Sequence, residues 1–559
     1  MQASVERIAL VGAPTTIVVD PAALGPSSQR DGAAARALLD ALGLTVKVLG
    51  VDPVDAAERA VAVLGRPATR IEGWDAWFVG AGPTPAGMHA TDGGGPRTTV
   101  LILSLLAAGF AQVRAGAAFV AAGSGRAPPG EAHYDRAAVL GGITAALTIP
   151  ADLPSAPHPP LIDDELVDAV LCSSLALLDR CCAPSGAIAA APPAAHAGEP
   201  DYGFFWQRDA AHAAYALHQL SMAAPDEAGR HQAQARLDAY VRFVATLGPR
   251  LADASAAGIS RTSLAGTPID GYGNPQPDGP AATALVLLNV VADPRDALAI
   301  ASPFLAHLAD LEPVGYDLWE LTFGTSFHAV NLARRALSRA AEIADGIGDP
   351  DAPRYVRAAA ADAALLEAFR APGGGVVATL DPQPSFWSAT SRLDASVIGS
   401  TLLAGADTGT SWGADAPAIV TTLAELERAF ARRWPINVAW RTAGHRGGGL
   451  GRFPEDCNDG IGATGGHPWP IATLWAAQHH YVRGTAEAFA LADGQLSFVL
   501  AHTDLAAVSE QIDGQSGRPR GARGLAWAHA ELVATVLARR DAQRRGAPAD
   551  RDPAIRAGK

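Results

Sequence analysis

The chain has 559 residues, of which 49% are apolar and 18% charged, with a formal net charge of −14 at pH 7. This length exceeds one ordinary domain, and the apolar share supports a sizeable packed core rather than a disordered or fibrous chain. The negative balance, without basic runs interleaved with aromatics, argues against nucleic acid as a partner. Cys172, Cys181, Cys182 and Cys457 are too few and too irregular for a disulfide framework.

Met1 to Leu10 lacks the basic and then apolar pattern of a secretory leader, so a cytoplasmic location is expected. RIALVG, TTIVVD, TVKVLGV and DAWFVGA read as short strands, and GAAARALLDALG and DPVDAAERAVAVLG as helices. Together they predict a smaller mixed α and β domain over residues 1–150. The apolar stretch from Thr98 to Gly123 carries Gln112, Arg114 and several glycines, which suits core strands or a core helix rather than a membrane span. PSAPHPP, within residues 151–160, has the composition of a stiff linker.

From residue 161 the spacing of apolar residues becomes helical. Val167, Val170, Leu171 and Leu178 share one face, and Asp163 and Asp164 place dipole-compatible charge in the first turn. Asp278-Gly279-Pro280 reads as a cap followed by an early proline. Helices are expected near 162–180, 210–221, 228–247, 279–292, 297–310, 326–344, 354–371, 393–403, 415–433, 470–482, 486–502 and 521–539, about twelve in all. The fold class is mainly α over 161–540, and a solenoid, a bundle or a toroid of six inner and six outer helices fits the period equally. The polar stretch 541–559 is expected to be a tail.

Several inter-helix loops are long and rich in Trp, Tyr, Arg, Asp and Glu, as a site requires and a mere connector does not. They lie at 201–209, 270–280, 315–327, 451–469 and 509–513. Inverting hydrolysis of a glycosidic bond needs one protonated carboxyl for the leaving oxygen and one ionised carboxylate to activate water on the other face. Glu320, between Trp319 and Leu321 with Phe323 nearby, has an apolar neighbourhood that favours the protonated carboxyl of a general acid. Glu510 sits among Ser509 and Gln511, polar neighbours that suit an ionised base. On the residues alone, each glutamate reads more readily as a solvated loop charge or helix cap, while Arg208 and Asp209 read equally as a capping ion pair and the aromatic cluster equally as core.

Five ordered segments bear on that choice. DYGFFWQRDAA resembles an aromatic-rich W-x-R-D segment, and GYGNPQPDGPA a G-W-G-R-P-Q-x-D-G-P-A segment. YDLWEL resembles Y-D-L-W-E-E, GRFPED with HPW resembles G-R-Y-P-E-D with N-P-W, and SEQID with ARGLAWAHA resembles a final E-Q and A-R-D-L-T-W-S-Y-A pair. Through these, residues of about 160 to 540 resemble the catalytic domain of glycoside hydrolase family 15, the glucoamylases, glucodextranases and related trehalases.

The resemblance implies an (α/α)6 barrel with Glu320 as proton donor and Glu510 as catalytic base. It implies further that Arg208 and Asp209 hold hydroxyls of a terminal glucose, that Tyr202 and Trp206 line its pocket, that Trp319 contacts substrate, and that Arg452 and Trp469 reach the site. Tyr272 and Asn274 stand where the family has Trp and Arg, and Leu321 where it has a second glutamate on the leaving-group side. The implied activity is an inverting, exo-acting hydrolysis of small α-1,4 or α-1,6 glucosides that releases β-glucose, without metal or other cofactor. A trehalase-like or glucosyl-transferring enzyme of the same fold, or a carbohydrate-binding protein without turnover, are the alternatives. A small oligosaccharide or disaccharide is the expected partner, and no membrane.

Overall fold

The computed structural model describes strands at 68–70, 76–79 and 100–103 and, within 154–546, all residues except 194–200, 249–258, 270–273, 384–392, 455 and 457–465. The chain divides into two compact units: Met1–Leu153 with Pro384–Thr390 and Pro454–Gly466, and Pro154–Gln383 with Ser391–Phe453 and His467–Lys559. In the first, β1 (Ala68–Arg70) runs antiparallel to β2 (Ala76–Val79), which runs parallel to β3 (Val100–Leu103). β2 falls in DAWFVGA and β3 in the apolar stretch after Thr98, while the other strands and both helices expected before residue 150 lie outside the described residues.

The second unit is helical. Its helices are α1 (Asp164–Cys181), α2 (Gln207–Ala223), α3 (Glu227–Leu247), α4 (Asp278–Val290), α5 (Pro294–Asp310), α6 (Phe327–Ile347), α7 (Ala352–Leu366), α8 (Ser396–Gly399), α9 (Pro417–Phe430), α10 (Pro435–Thr442), α11 (Pro470–Arg483), α12 (Ala486–His502) and α13 (Ala526–Arg544). Helices α2, α4, α6, α8, α11 and α13 pack each on the next, and α13 closes back on α2. Outside them α3 packs on α2, α5 on α4, α7 on α6, α9 on α8, α12 on α11 and α1 on α13. This closed double ring is an (α/α)6 barrel, the toroid among the three arrangements the helical period allowed.

Burial follows the ring. Every residue from Asp278 to Leu288 of α4 and from Pro470 to Tyr481 of α11 is buried, because an inner helix is covered on all sides and needs no polar stripe. Alanine is frequent at these contacts and lets the backbones approach closely. Turns from inner to outer helices are short at 224–226, 291–293, 348–351 and 484–485, and longer at 400–416, between α8 and α9. The returns to inner-helix N-termini are long, so the loops rich in aromatic and charged residues gather at one mouth.

Short strands brace that mouth. β4 (Phe205–Trp206) pairs with β5 (Arg261–Thr262) and leads straight into α2. β6 (Val314–Tyr316), β7 (Phe323–Ser326) and β8 (Thr379–Gln383) form an antiparallel sheet that leads into α6. β9 (Gln511–Ile512) pairs with β10 (Pro519–Arg520) ahead of α13.

Several helix boundaries differ from expectation, and the helix expected to run to 371 ends at Leu366 in a 3-10 turn, Glu367–Phe369. The helix expected over 393–403 is reduced to α8, since Ser400 Oγ and Thr401 Oγ1 donate to the carbonyls of Val397 and Ile398 and so compete with helix propagation. The expected 415–433 helix ends at Phe430, and Pro435 then opens α10 as a separate turn. The last helix starts at Ala526 rather than 521, after Gly521 and Gly524 with φ of +71° and +69°. It also runs to Arg544, into the expected tail, held there by Arg539 Nε to Asp493 Oδ1 at 2.8 Å and Arg540 Nη2 to Asp168 Oδ1 at 2.6 Å. Among the described residues no helix is long and apolar enough to cross a membrane.

Candidate active site

Glu320 lies at the tip of the β6–β7 hairpin, in a turn closed by bonds from Glu320 N to Asp317 O, Leu321 N to Asp317 Oδ1 and Asp317 N to Thr322 O, each of 2.9 Å. Its φ is +61°, a conformation that costs a non-glycine residue about 1–3 kcal/mol. Such strain persists where the surroundings fix the residue, and here they do. Trp206 Nε1 and Gln276 Nε2 each donate to Glu320 Oε1 at 2.9 Å, and Arg208 Nη2 lies 3.8 Å from the same oxygen. The apolar neighbourhood expected for Glu320 is therefore corrected: the next residues in sequence are apolar, but donors brought by α2 and the approach to α4 surround one of its oxygens.

Arg208 organises this corner. Its Nη1 donates to Gln276 Oε1 at 3.0 Å and Asp278 Oδ2 at 3.2 Å, and its Nη2 lies 3.3 Å from Asp209 Oδ2. Because arginine only donates, Gln276 must turn its carbonyl to Arg208 and its amide NH₂ to Glu320. Burial opposes the guanidinium charge, but the carboxylates of Asp278, Asp209 and Glu320 hold its pKa above the ordinary range. The pair Arg208 and Asp209 is thus a buried link among three loops and not a surface cap.

Glu510 approaches from the loop before α13. Its Oε1 accepts from Tyr202 OH at 3.0 Å and its Oε2 from Ala522 N at 3.3 Å. It is 5% exposed, and burial pushes its pKa up to about 7, against the hydrogen bonds from Ala522 and Tyr202 and the charge of Arg452. The polar setting expected for Glu510 is corrected accordingly: its local sequence is polar, but the chain at 521–522 folds over it. Asp209 interacts electrostatically with both Glu320 and Glu510, so one buried carboxyl joins the two candidates. Burial also raises the pKa of Asp209.

A Cβ built on Gly521, whose φ is +71°, would stand 2.2 Å from Glu510 Oε2 and 3.0 Å from its Cβ. Gly521→Ala is therefore expected to displace the Glu510 carboxyl and to lower kcat/KM on the order of 10²-fold, as misplacement by about 1 Å does. Steady-state kinetics at unchanged secondary structure is the check, and wild-type kcat/KM would show that the carboxyl's position is immaterial.

An aromatic cluster supports the hairpin. Trp319 Nε1 donates to Asp394 Oδ1 at 2.9 Å, and its ring lies 5.3 Å from that of Trp469, 6.0 Å from Trp475 and 6.1 Å from Trp527, stacked on the last. The Arg452 guanidinium sits 4.8 Å from the Trp469 ring and 5.5 Å from the Trp319 ring. Burial pushes the pKa of Asp394 up to about 7, and that of Asp317 up to about 6. Trp527, under the Arg208 guanidinium at 5.2 Å, donates from Nε1 to Glu531 Oε1 at 3.1 Å.

Glu320, Glu510, Tyr202, Trp206, Arg208, Asp209, Trp319, Arg452 and Trp469 are thus joined in one connected cluster at the inner-helix N-termini; Tyr272 lies outside the described residues. Sequence reasoning did not single out Gln276, Asp394, Gly521 or Trp527, and it read Asp278 as a helix cap, whereas Asp278 is the first residue of α4 and turns its carboxylate to Arg208. Gln276 and Asp278 stood within a loop already marked as a candidate, whereas nothing in the local sequence distinguishes Asp394.

Comparison with known proteins bears on this cluster. The family model for glycosyl hydrolases family 15 matches residues 166–490, more than half of the chain. A probable glucoamylase of Schizosaccharomyces pombe is 25% identical over 394 residues, which cover 61% of this chain and 82% of that protein. Glucoamylase 1 of Rhizopus oryzae is 26% identical over 336 residues, covering 50% of this chain and 54% of its own. The solved glucoamylase from Saccharomycopsis fibuligera shares the fold with a TM-score of 0.59 at 19% identity, over 70% of this chain and 97% of that one. The family 15 glucoamylase from Hypocrea jecorina does so with a TM-score of 0.56 at 23% identity, over 68% and 72%. From the family match, and from a barrel whose loop-bearing mouth gathers buried carboxyls, the chain belongs to family 15 of the glycosyl hydrolases.

Proposed function

We propose that this glycoside hydrolase cleaves small α-glucosides from the non-reducing end with inversion, using Glu320 as general acid and Glu510 as general base. The observation that carries this reading is the unequal setting of two glutamates around Asp209, Glu510 buried and Glu320 partly buried. On Glu320 the donors from Trp206 and Gln276 both fall on Oε1, which leaves Oε2 to carry the proton given to the glycosidic oxygen. Glu510, with a pKa near 7, is poised to take a proton from water near neutrality. In the reaction the water oxygen bonds to the anomeric carbon as the bond to the leaving oxygen breaks. Glu510 receives the water proton, Glu320 supplies the other, and the α-glucoside becomes β-glucose. An inverting pair leaves room for that water, with carboxyls about 6.5–9.5 Å apart.

Arg208 and Asp209 supply planar, charged hydrogen-bonding groups for sugar hydroxyls, and Tyr202 and Trp206 supply ring faces for the sugar's C–H surface. Leu321 packs against the core beside Glu320. An apolar residue here in place of a second glutamate favours small acceptors over long glucan chains, and keeps trehalose hydrolysis or glucosyl transfer as a second reading. Incubation with maltose, isomaltose and trehalose tests both: glucose released from the first two supports the proposal, release from trehalose alone supports the second reading, and release from none contradicts both.

The acidic limb of kcat/KM follows from Glu510. A base must be ionised, so activity is expected to fall as pH drops through about 7, the value to which burial pushes its carboxyl. The Tyr202 hydrogen bond lowers that value, so Tyr202→Phe is expected to move the limb to higher pH. A limb that stays in place or moves down in the pH–rate profile would remove Glu510 from the role.

A further inference from the structure

The turn that presents Glu320 in its strained conformation is closed by bonds among residues 317–322, and these alone do not set where the turn lies against the barrel. Trp319, the residue before Glu320, supplies that tie. Its side chain is buried, so its one N–H needs an acceptor inside the protein. The acceptor is Asp394: Trp319 Nε1 donates to Oδ1 at 2.9 Å and lies 3.1 Å from Oδ2. The rings of Trp469, Trp475 and Trp527 surround the indole, but ring contacts leave its polar edge free to turn. A carboxyl that meets the N–H with both oxygens fixes that edge.

Asp394 is itself anchored on the inner ring and not on the hairpin. It stands two residues before α8, where its Oδ1 also accepts from Ser396 N at 2.7 Å. Ala395 N donates to the carbonyl of Arg452 at 2.8 Å, and the carbonyl of Ser396, the first residue of α8, accepts from His328 Nδ1 of α6 at 2.9 Å. The acceptor is thus fixed to two inner helices and to the segment that carries Arg452, while its donor belongs to the hairpin tip. A catalytic group is held to its working geometry by neighbours whose own positions are locked in this way. Without the bond, a buried N–H is left unpaired beside a residue at φ +61°, and turning the indole relieves both.

We propose that Asp394 is a positioning residue for Glu320: by holding the Trp319 indole to the inner ring, it keeps the next residue in its strained conformation with the carboxyl set for proton donation. Asp394 acts through Trp319 and neither gives nor takes a proton in the reaction. The inference rests on the acid role proposed for Glu320.

The test compares maltose with α-glucosyl fluoride, whose fluoride departs with little help from an acid, using the full chain. Asp394→Leu removes both acceptor oxygens; it is expected to lower kcat on maltose about 10²-fold with KM little changed, as misplacement by about 1 Å does, and to lower kcat on the fluoride far less. Asp394→Asn keeps Oδ1 as acceptor for Trp319 and Ser396 and is expected to recover most of the loss. If Asp394→Leu does not fold, Trp319→Phe, which removes the donor and keeps an aromatic ring, is expected to show the same contrast between substrates. Equal losses on the two substrates, a change in KM alone, or no recovery in Asp394→Asn overturn the proposal. Glu320→Gln is measured alongside. If it shows the contrast and the Asp394 variants do not, the positioning role fails and the acid role stands; if Glu320→Gln itself lacks the contrast, the acid role fails and this inference with it.

Discussion

Glu320→Gln and Glu510→Gln are each expected to lower kcat by about 10²–10⁴-fold, the usual contribution of a positioned general acid or base, while the melting temperature changes little. Glutamine keeps the shape of the side chain and can still accept from Trp206 and Gln276 at position 320, or from Tyr202 at position 510. What it loses is the proton at Oε2 of Glu320, or the negative charge of Glu510. The two losses are separable by leaving group. α-Glucosyl fluoride needs little protonation to depart, so Glu320→Gln should recover much of its activity on it, while Glu510→Gln should not, because water still requires a base. Recovery by Glu510→Gln alone would exchange the two roles, and near-normal turnover of both variants on maltose would end the assignment.

The second large effect is expected from Arg208. Replacing it with methionine leaves Asp209, Asp278 and Glu320 clustered in a buried corner without their shared cation, a situation that costs about 3–5 kcal/mol. The sign with pH is fixed. Burial already raises the pKa of Asp209 and the Arg208 charge opposes that rise, so losing the cation raises it further and the penalty is fully present above the raised value. It shrinks as pH falls and vanishes below the unfolded pKa of about 4. Chemical denaturation at neutral and at acidic pH measures both. Arg208→Lys should recover only part of the loss, since one ammonium cannot reach Gln276, Asp278 and Asp209 with the geometry of the guanidinium fork. Equal stability of wild type and Arg208→Met at neutral pH would contradict the arrangement.

Much of this was legible in the chain where chemistry is local. The Trp-Glu pair at 319 and 320, the Arg-Asp pair at 208 and 209 and the long loops that carry them stand out against short connectors, and the helical spacing after residue 161 leads to the barrel. What sequence could not supply is what the ring closure creates. Glu510 has polar neighbours in sequence, yet it is buried because Gly521 and Ala522 fold across it. Glu320 has apolar neighbours in sequence, yet its Oε1 meets donors from residues 206 and 276. Asp394 gives no local sign that it will hold the Trp319 indole.

The polar chain through the barrel is continuous at these places. Arg208 stacks on Trp527, Trp527 bonds to Glu531, and Glu531 bonds to His212, which interacts electrostatically with Asp209. Burial alone would push the Glu531 carboxyl up, but the His212 ring and the bonds from His212 and Gln478 hold it below its usual range. Its charge therefore persists in the interior and anchors the ring that supports Arg208.

The most direct measurement is ¹H NMR of glucose freshly released from the non-reducing end of maltose, recorded faster than mutarotation. The acid and base roles of Glu320 and Glu510 predict that this glucose appears first as the β-anomer. First appearance of the α-anomer would mean retention, and with it a nucleophile where the account places a base.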